Sequence, residues 1–123
     1  MASSESSVVT KMLRLCLVEA ISSMDDAIIT STLSSNTLKN EFLERAIHAA
    51  RLRLREAGHT AITESQAWEK LRLMHKVFSI VPNAPKMLDD LRDSAPAYAD
   101  RAKLELWQSK WKGEGAKAKL ALE

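Results

Sequence analysis

Glycine and proline are scarce in this chain and stand far apart. The 123 residues hold three of each, Gly58, Gly113 and Gly115 with Pro82, Pro85 and Pro96. A sandwich or barrel needs many tight turns and the residues that make them. Long stretches without breakers favour long helices, and the apolar residues between the breakers recur at helical spacing.

Val8, Met12, Leu15, Val18 and Ile21 trace one stripe from about Ser7 to Met24, and Leu13, Leu17 and Ala20 widen it. A stripe that broad predicts a helix covered on more than one face. Asp25 and Asp26 start a short turn carrying Ile28, Ile29 and Leu33, and Ser31, Thr32, Ser34, Ser35 and Asn36 make the polar break expected after it. Asn36 is the expected N-cap of the next helix, which runs to Ala57 and stops at Gly58. Its expected buried stripe is Leu38, Phe42, Ile47, Ala50 and Leu54.

Thr63-Glu64-Ser65-Gln66 has the pattern of a capping box. The helix expected from it buries Trp68, Leu71, Met74 or His75, and Phe78. Pro82 and Pro85 break that helix, because each disfavours helical backbone at the residue before it. A short helix from Pro85 to Arg92 follows, then a last one opened by Pro96, carrying Tyr98, Ala102, Leu104, Trp107 and Trp111, and ended by Gly113 and Gly115. The organisation this predicts is a flexible N-terminus over residues 1–6, a helical domain over 7–112 and a disordered tail over 113–123. The expected fold is all-α, a four- to five-helix orthogonal bundle.

Apolar residues make up 46% of the chain but aromatics only 5%, so the core is expected to be mainly aliphatic. The formal net charge of +2 is too small a bias to suggest non-specific nucleic-acid binding. Cys16 is the single cysteine, which excludes an internal disulfide and suits a reducing compartment. No run approaches the ~18 apolar residues of a membrane span. Met1–Ser7 lacks the basic start of a secretory signal. Val8–Met24, with Lys11 and Arg14, has features of a mitochondrial presequence and reads equally well as a core helix.

Catalytic constellations are missing. His48, His59 and His75 make no i, i+4 pair and no HExxH, so no metal site is expected. Cys16 lies on an apolar helix face, where a thiol is an inert packing group. The glycines are too scattered for a phosphate-cradling loop. Asp25-Asp26 and Asp89-Asp90 are neighbours that point about 100° apart on a helix and converge on nothing. The expectation is a protein that is not an enzyme and carries no cofactor.

Partner binding is the reading that remains. Trp107 and Trp111 sit one helical turn apart, and either close the domain's own core or anchor another protein. Phe78, Ile80, Pro82, Met87 and Leu88 form a stretch too apolar for an ordinary solvent loop. These seven residues are the expected anchors for a partner. Arg51, Arg53 and Arg55 are the only candidates for nucleic acid, spread around one helix rather than lined along it. A structural subunit of an organelle or cytoskeletal assembly is a further alternative.

The segment Leu54 to Met74, with Ala67-Trp68-Glu69-Lys70-Leu71 at its centre, resembles the MRG-binding protein family, small subunits of a nucleosome acetyltransferase complex. Leu15-Cys16-Leu17-Val18-Glu19-Ala20-Ile21 looks like that family's first helix, and Phe42 stands where an aromatic opens the second. The likeness spans about half the chain. It implies a SANT-like three-helix core, a nuclear location and an MRG-domain protein as partner. The family grips that partner with a Phe-x-Leu-Pro segment. Phe78-Ser79-Ile80-Val81-Pro82 is the nearest stretch here and has one residue too many.

Overall fold

The structure, a computed structural model, describes residues 7–66 and 68–111. The flexible N-terminus expected over 1–6, the tail expected over 113–123 and the helix end expected at Gly113 and Gly115 lie outside the described residues. In chain order the helices are α1 (Ala2–Ser22), α2 (Asp26–Leu33), α3 (Asn36–Glu56), the single turn α4 (Thr60–Thr63), α5 (Lys70–Ile80), α6 (Ala84–Leu91) and α7 (Arg101–Leu122). Short 3-10 turns occupy Gln66–Trp68, Val81–Asn83 and Arg92–Ser94. No strand occurs among the described residues, so the chain is an all-α bundle, as the sparse breakers require.

Local chemistry sets most of the boundaries. Asp25 caps α2, its carboxylate accepting from the Ile28 N–H at 2.9 Å. Ser35 rather than Asn36 caps α3, its hydroxyl oxygen accepting from the Leu38 N–H at 3.2 Å. Gly58 ends that helix with φ +93°. The Gly58 and His59 N–H groups reach back to the carbonyls of Arg55 and Leu54 at 3.0 and 2.8 Å. That pair of bonds satisfies carbonyls the helix end would otherwise leave open.

Two expected helix starts are corrected. Thr63 does not open α5. It closes α4, where its hydroxyl donates back to the Thr60 carbonyl at 2.9 Å and its side chain is buried. Thr63 is itself helical, as the last residue of α4, whereas an N-cap needs non-helical backbone, so α5 begins only at Lys70, with no side-chain cap. Pro96 does not open α7 either. It starts a turn, with the Ala99 N–H donating to its carbonyl at 3.1 Å. Asp100 caps α7 instead, accepting from the Lys103 N–H at 3.3 Å. The Asp100 N–H in turn donates to the Ser22 hydroxyl at 2.9 Å, which ties the start of α7 to the end of α1.

α1 packs against α3, α6 and α7, and α7 also covers α2, α3 and α6. The buried side of α1 is correspondingly wide, with Val9, Leu13, Cys16, Leu17, Val18 and Ile21 all buried. On α3 the buried set is Phe42, Leu43, Ala46, Ile47, Ala50 and Leu54. Leu38, expected in that stripe, is 41% exposed, and Lys39 takes the inward position with 1% of its surface exposed. Its aliphatic stem fills core space, and its ammonium stands 5.4 Å from the centroid of a Trp111 ring, a cation–π contact.

Candidate functional site

The expected anchors divide into two groups. Phe78, Met87, Trp107 and Trp111 are core residues, which corrects the expectation that they meet a partner. The two tryptophans lie on the inward face of α7. The Trp107 ring centroid is 4.8 Å from that of Phe42 and 6.1 Å from that of Trp111, while Trp111 meets Phe78 edge-on at 5.8 Å. This aromatic chain links α3, α7 and α5, and contacts of this geometry add stabilisation beyond area burial. Trp107 is the largest side chain sealed in the core. Ile80, Pro82 and Leu88 are half-buried and remain at the surface where α5 turns into α6.

The three arginines proposed for nucleic acid do not make a free cationic face. Arg53 Nη1 lies 2.6 Å from Glu19 Oε1, and Arg51 Nη2 lies 3.6 Å from Glu64 Oε1. Arg55 is exposed at the end of α3. Two of the three charges are thus already opposed by carboxylates.

Cys16 is buried, and burial pushes its thiol up to about 11, against the partial opposing pull of Arg53. At neutral pH it stays protonated and unreactive. Tyr98 is exposed, and its hydrogen bond with Glu19 raises its hydroxyl above the ordinary value. His48, His59 and His75 are exposed. Among the described residues no group of three histidine, cysteine or carboxylate side chains is placed to hold a metal, and no helix is long and apolar enough to cross a membrane.

A cleft between α3 and the start of α5 was not foreseen. Its volume is about 300 Å³. Ile47 and Trp68 supply its apolar lining, and Glu44, His48, Arg51 and Lys70 its charged rim. The 3-10 turn builds it. The Trp68 N–H donates to the Ser65 carbonyl at 3.0 Å and the Glu69 N–H to the Gln66 carbonyl at 3.3 Å, so the chain folds back and leaves the indole half-buried against the core. Lys70 Nζ bridges to Glu44 Oε1 at 3.1 Å across the rim. Arg51 Nε is buried without a hydrogen-bond partner among the described residues.

Leu71 follows Lys70 and is 67% exposed. Sequence reasoning placed Trp68 and Leu71 in the core. That stripe was phased on a helix starting at Thr63, and with α5 starting at Lys70 the buried residues are Leu73, Met74, Val77 and Phe78 instead. Leu52, on the outer face of α3, is 45% exposed. Of the residues here, Trp68 and Arg51 of the cleft are of the types that anchor partners, and exposed Leu71, next after Lys70 in the chain, extends the apolar surface beside them. Comparison of the chain with known protein families, curated proteins and solved structures returns no match.

Proposed function

We propose that this domain is a non-catalytic adaptor that holds a partner protein, with the α3–α5 cleft receiving an apolar anchor of that partner. The exposure of Leu71, next to half-buried Trp68 at a charge-rimmed cleft, carries the reading. The occupant is the apolar face of a partner helix. The rim carries both signs, in the pairs Lys70–Glu44 and Arg51–Glu64, and suits flanking residues of mixed charge. Apolar anchors seated in a pocket supply the affinity, and the charged rim supplies register.

The resemblance around Trp68 makes an MRG-domain protein the first partner to test, within a chromatin-modifying complex in the nucleus. The assay is calorimetric titration of the full chain with a recombinant MRG domain, repeated with Leu71→Asp. The expected result is binding that the substitution weakens at least tenfold while thermal unfolding of the free domain stays unchanged. Equal binding by Leu71→Asp overturns the cleft as the docking site, and absence of binding to the wild-type chain removes the MRG domain as partner. Light scattering that shows a dimer abolished by Leu71→Asp assigns the cleft to a second copy of the chain and overturns the adaptor reading.

A further inference from the structure

The corner where α5 turns into α6 forms a second pocket, walled on one side by α1. Its volume is about 190 Å³. Ile80 and Met87 give it an apolar part, and Arg14, Asn83, Lys86 and Asp90 a polar one. Ligand pockets for whole small molecules run to roughly 300–1,000 Å³. This one has room for a single side chain.

Its charges are unbalanced. Lys86 Nζ donates to both oxygens of Asp90 at 3.0 and 3.2 Å. Arg14 Nη2 stands 3.6 Å from Asp90 Oδ2, outside hydrogen-bond range, and Arg14 Nε is buried with no hydrogen-bond partner among the described residues. The Lys86 hydrogen bond above all, helped by the charges of Arg14 and Arg92, holds the Asp90 carboxyl below its ordinary value, so it is ionised at neutral pH. Two cations of the lining therefore share one anion. Asp89 does not redress this, because it is engaged by Arg101 of α7.

Further donors stand at the same corner. Asn83 Oδ1 accepts from Gln108 Nε2 at 3.0 Å, which commits the carbonyl end of the amide and leaves its NH2 as a donor. The first turn of α6 begins here and carries no side-chain cap, and the start of a helix favours negative charge. A guanidinium with unspent N–H groups engages a carboxylate through paired bonds.

We infer that this pocket receives one acidic side chain, a glutamate or aspartate carried by a partner protein, with Arg14 and Asn83 as its donors and Ile80 and Met87 against its methylene groups. A carboxylate side chain fits better than a phosphate, because the apolar wall of Ile80 and Met87 meets methylene groups that a phosphate lacks. The pocket lies at the opposite end of α5 from the Trp68 cleft, so the two readings stand or fall separately.

The test is methyl and side-chain amide NMR on the full chain. It is titrated at matched ionic strength with three probes: an end-blocked Ala-Leu-Glu-Leu-Ala peptide, its glutamine counterpart, and inorganic phosphate. The glutamate peptide is expected to move the Ile80 and Met87 methyl signals and the Asn83 amide in a saturable way, and the glutamine peptide to bind at least tenfold more weakly. Arg14→Met keeps the stem, leaves Asp90 its Lys86 partner, and is expected to weaken the glutamate peptide tenfold. Leu71→Asp is expected to leave that binding unchanged. Equal binding of the two peptides, insensitivity to Arg14→Met, response to phosphate alone, or no response to any probe overturns the assignment.

Discussion

Replacing Trp107 with alanine tests whether the tryptophans belong to the core. Trp107 is fully buried against Phe42 and Trp111. Burying a tryptophan removes roughly 150–250 Å² from water. At roughly 25 cal/mol per Å² that is worth about 4–6 kcal/mol, an upper figure because the unfolded chain already hides part of it. Alanine keeps the Cβ but leaves a cavity, so the expected loss is about 3–5 kcal/mol. A domain of this size has about 5–15 kcal/mol of stability in all, so the variant is severely weakened or unfolded. Trp107→Phe makes the contrast. Its Nε1 is buried with no hydrogen-bond partner among the described residues, and leaving such a donor unmade costs about 1–3 kcal/mol. Phenylalanine removes that donor and keeps a ring between Phe42 and Trp111, so the lost volume and the removed orphan nearly cancel, within about 1.5 kcal/mol. Urea unfolding followed by far-ultraviolet circular dichroism measures both, with an unchanged slope confirming that the unfolded states match. If alanine shifts stability by less than about 1 kcal/mol, or phenylalanine is as damaging as alanine, the core reading of Trp107 is wrong.

Three other substitutions probe the backbone and the thiol. Gly58→Ala is expected to lower stability by about 1 kcal/mol in the same urea assay, wholly through its φ of +93°, because an added Cβ meets nothing within 4 Å. Arg92, at φ 50° and ψ −121° where α6 ends, is the one non-glycine residue with positive φ among those described. Arg92→Gly should raise stability by about 1 kcal/mol, the relief of strain exceeding glycine's added freedom in the unfolded chain, and a lowered urea midpoint refutes it. Cys16 gives a pH dependence: its folded-state value is raised from 9.0 to about 11, so the stability it contributes is complete below pH 9 and is lost as pH rises from about 9 to 11. The stability difference between wild type and Cys16→Ala should therefore shrink by about 2–3 kcal/mol across that range, and a constant difference counts against burial as the cause.

The parts of this fold that were legible in the sequence depend on contacts a few residues apart. Gly58 ends α3 because only a residue free of Cβ strain adopts its backbone there easily, and its bonds reach no further back than Arg55 and Leu54. Asp25 caps α2 for an equally local reason. The all-helical class follows from breaker scarcity and helical spacing along each segment. Thr63 shows where local reading fails: the capping-box pattern is present, but the residue is the helical end of α4 and its buried hydroxyl bonds backward to Thr60. That shifted the start of α5 and exchanged the places of Leu71 and Leu73.

Spacing along α7 put Trp107 and Trp111 on one face, and spacing along α3 put Phe42 on another. No pattern within either helix says that those two faces meet, since that depends on the direction in which each helix leaves its turn. The same limit hid Lys39, whose inward position exists only because Trp111 of α7 lies over it. Arg14 and Lys86 are far apart in the chain and come together only because α1 packs along α6. Helix class and termini were written in short-range hydrogen bonding. Which apolar and charged side chains face solvent was decided by the docking of one helix against the next, because burial belongs to pairs of surfaces and not to single segments.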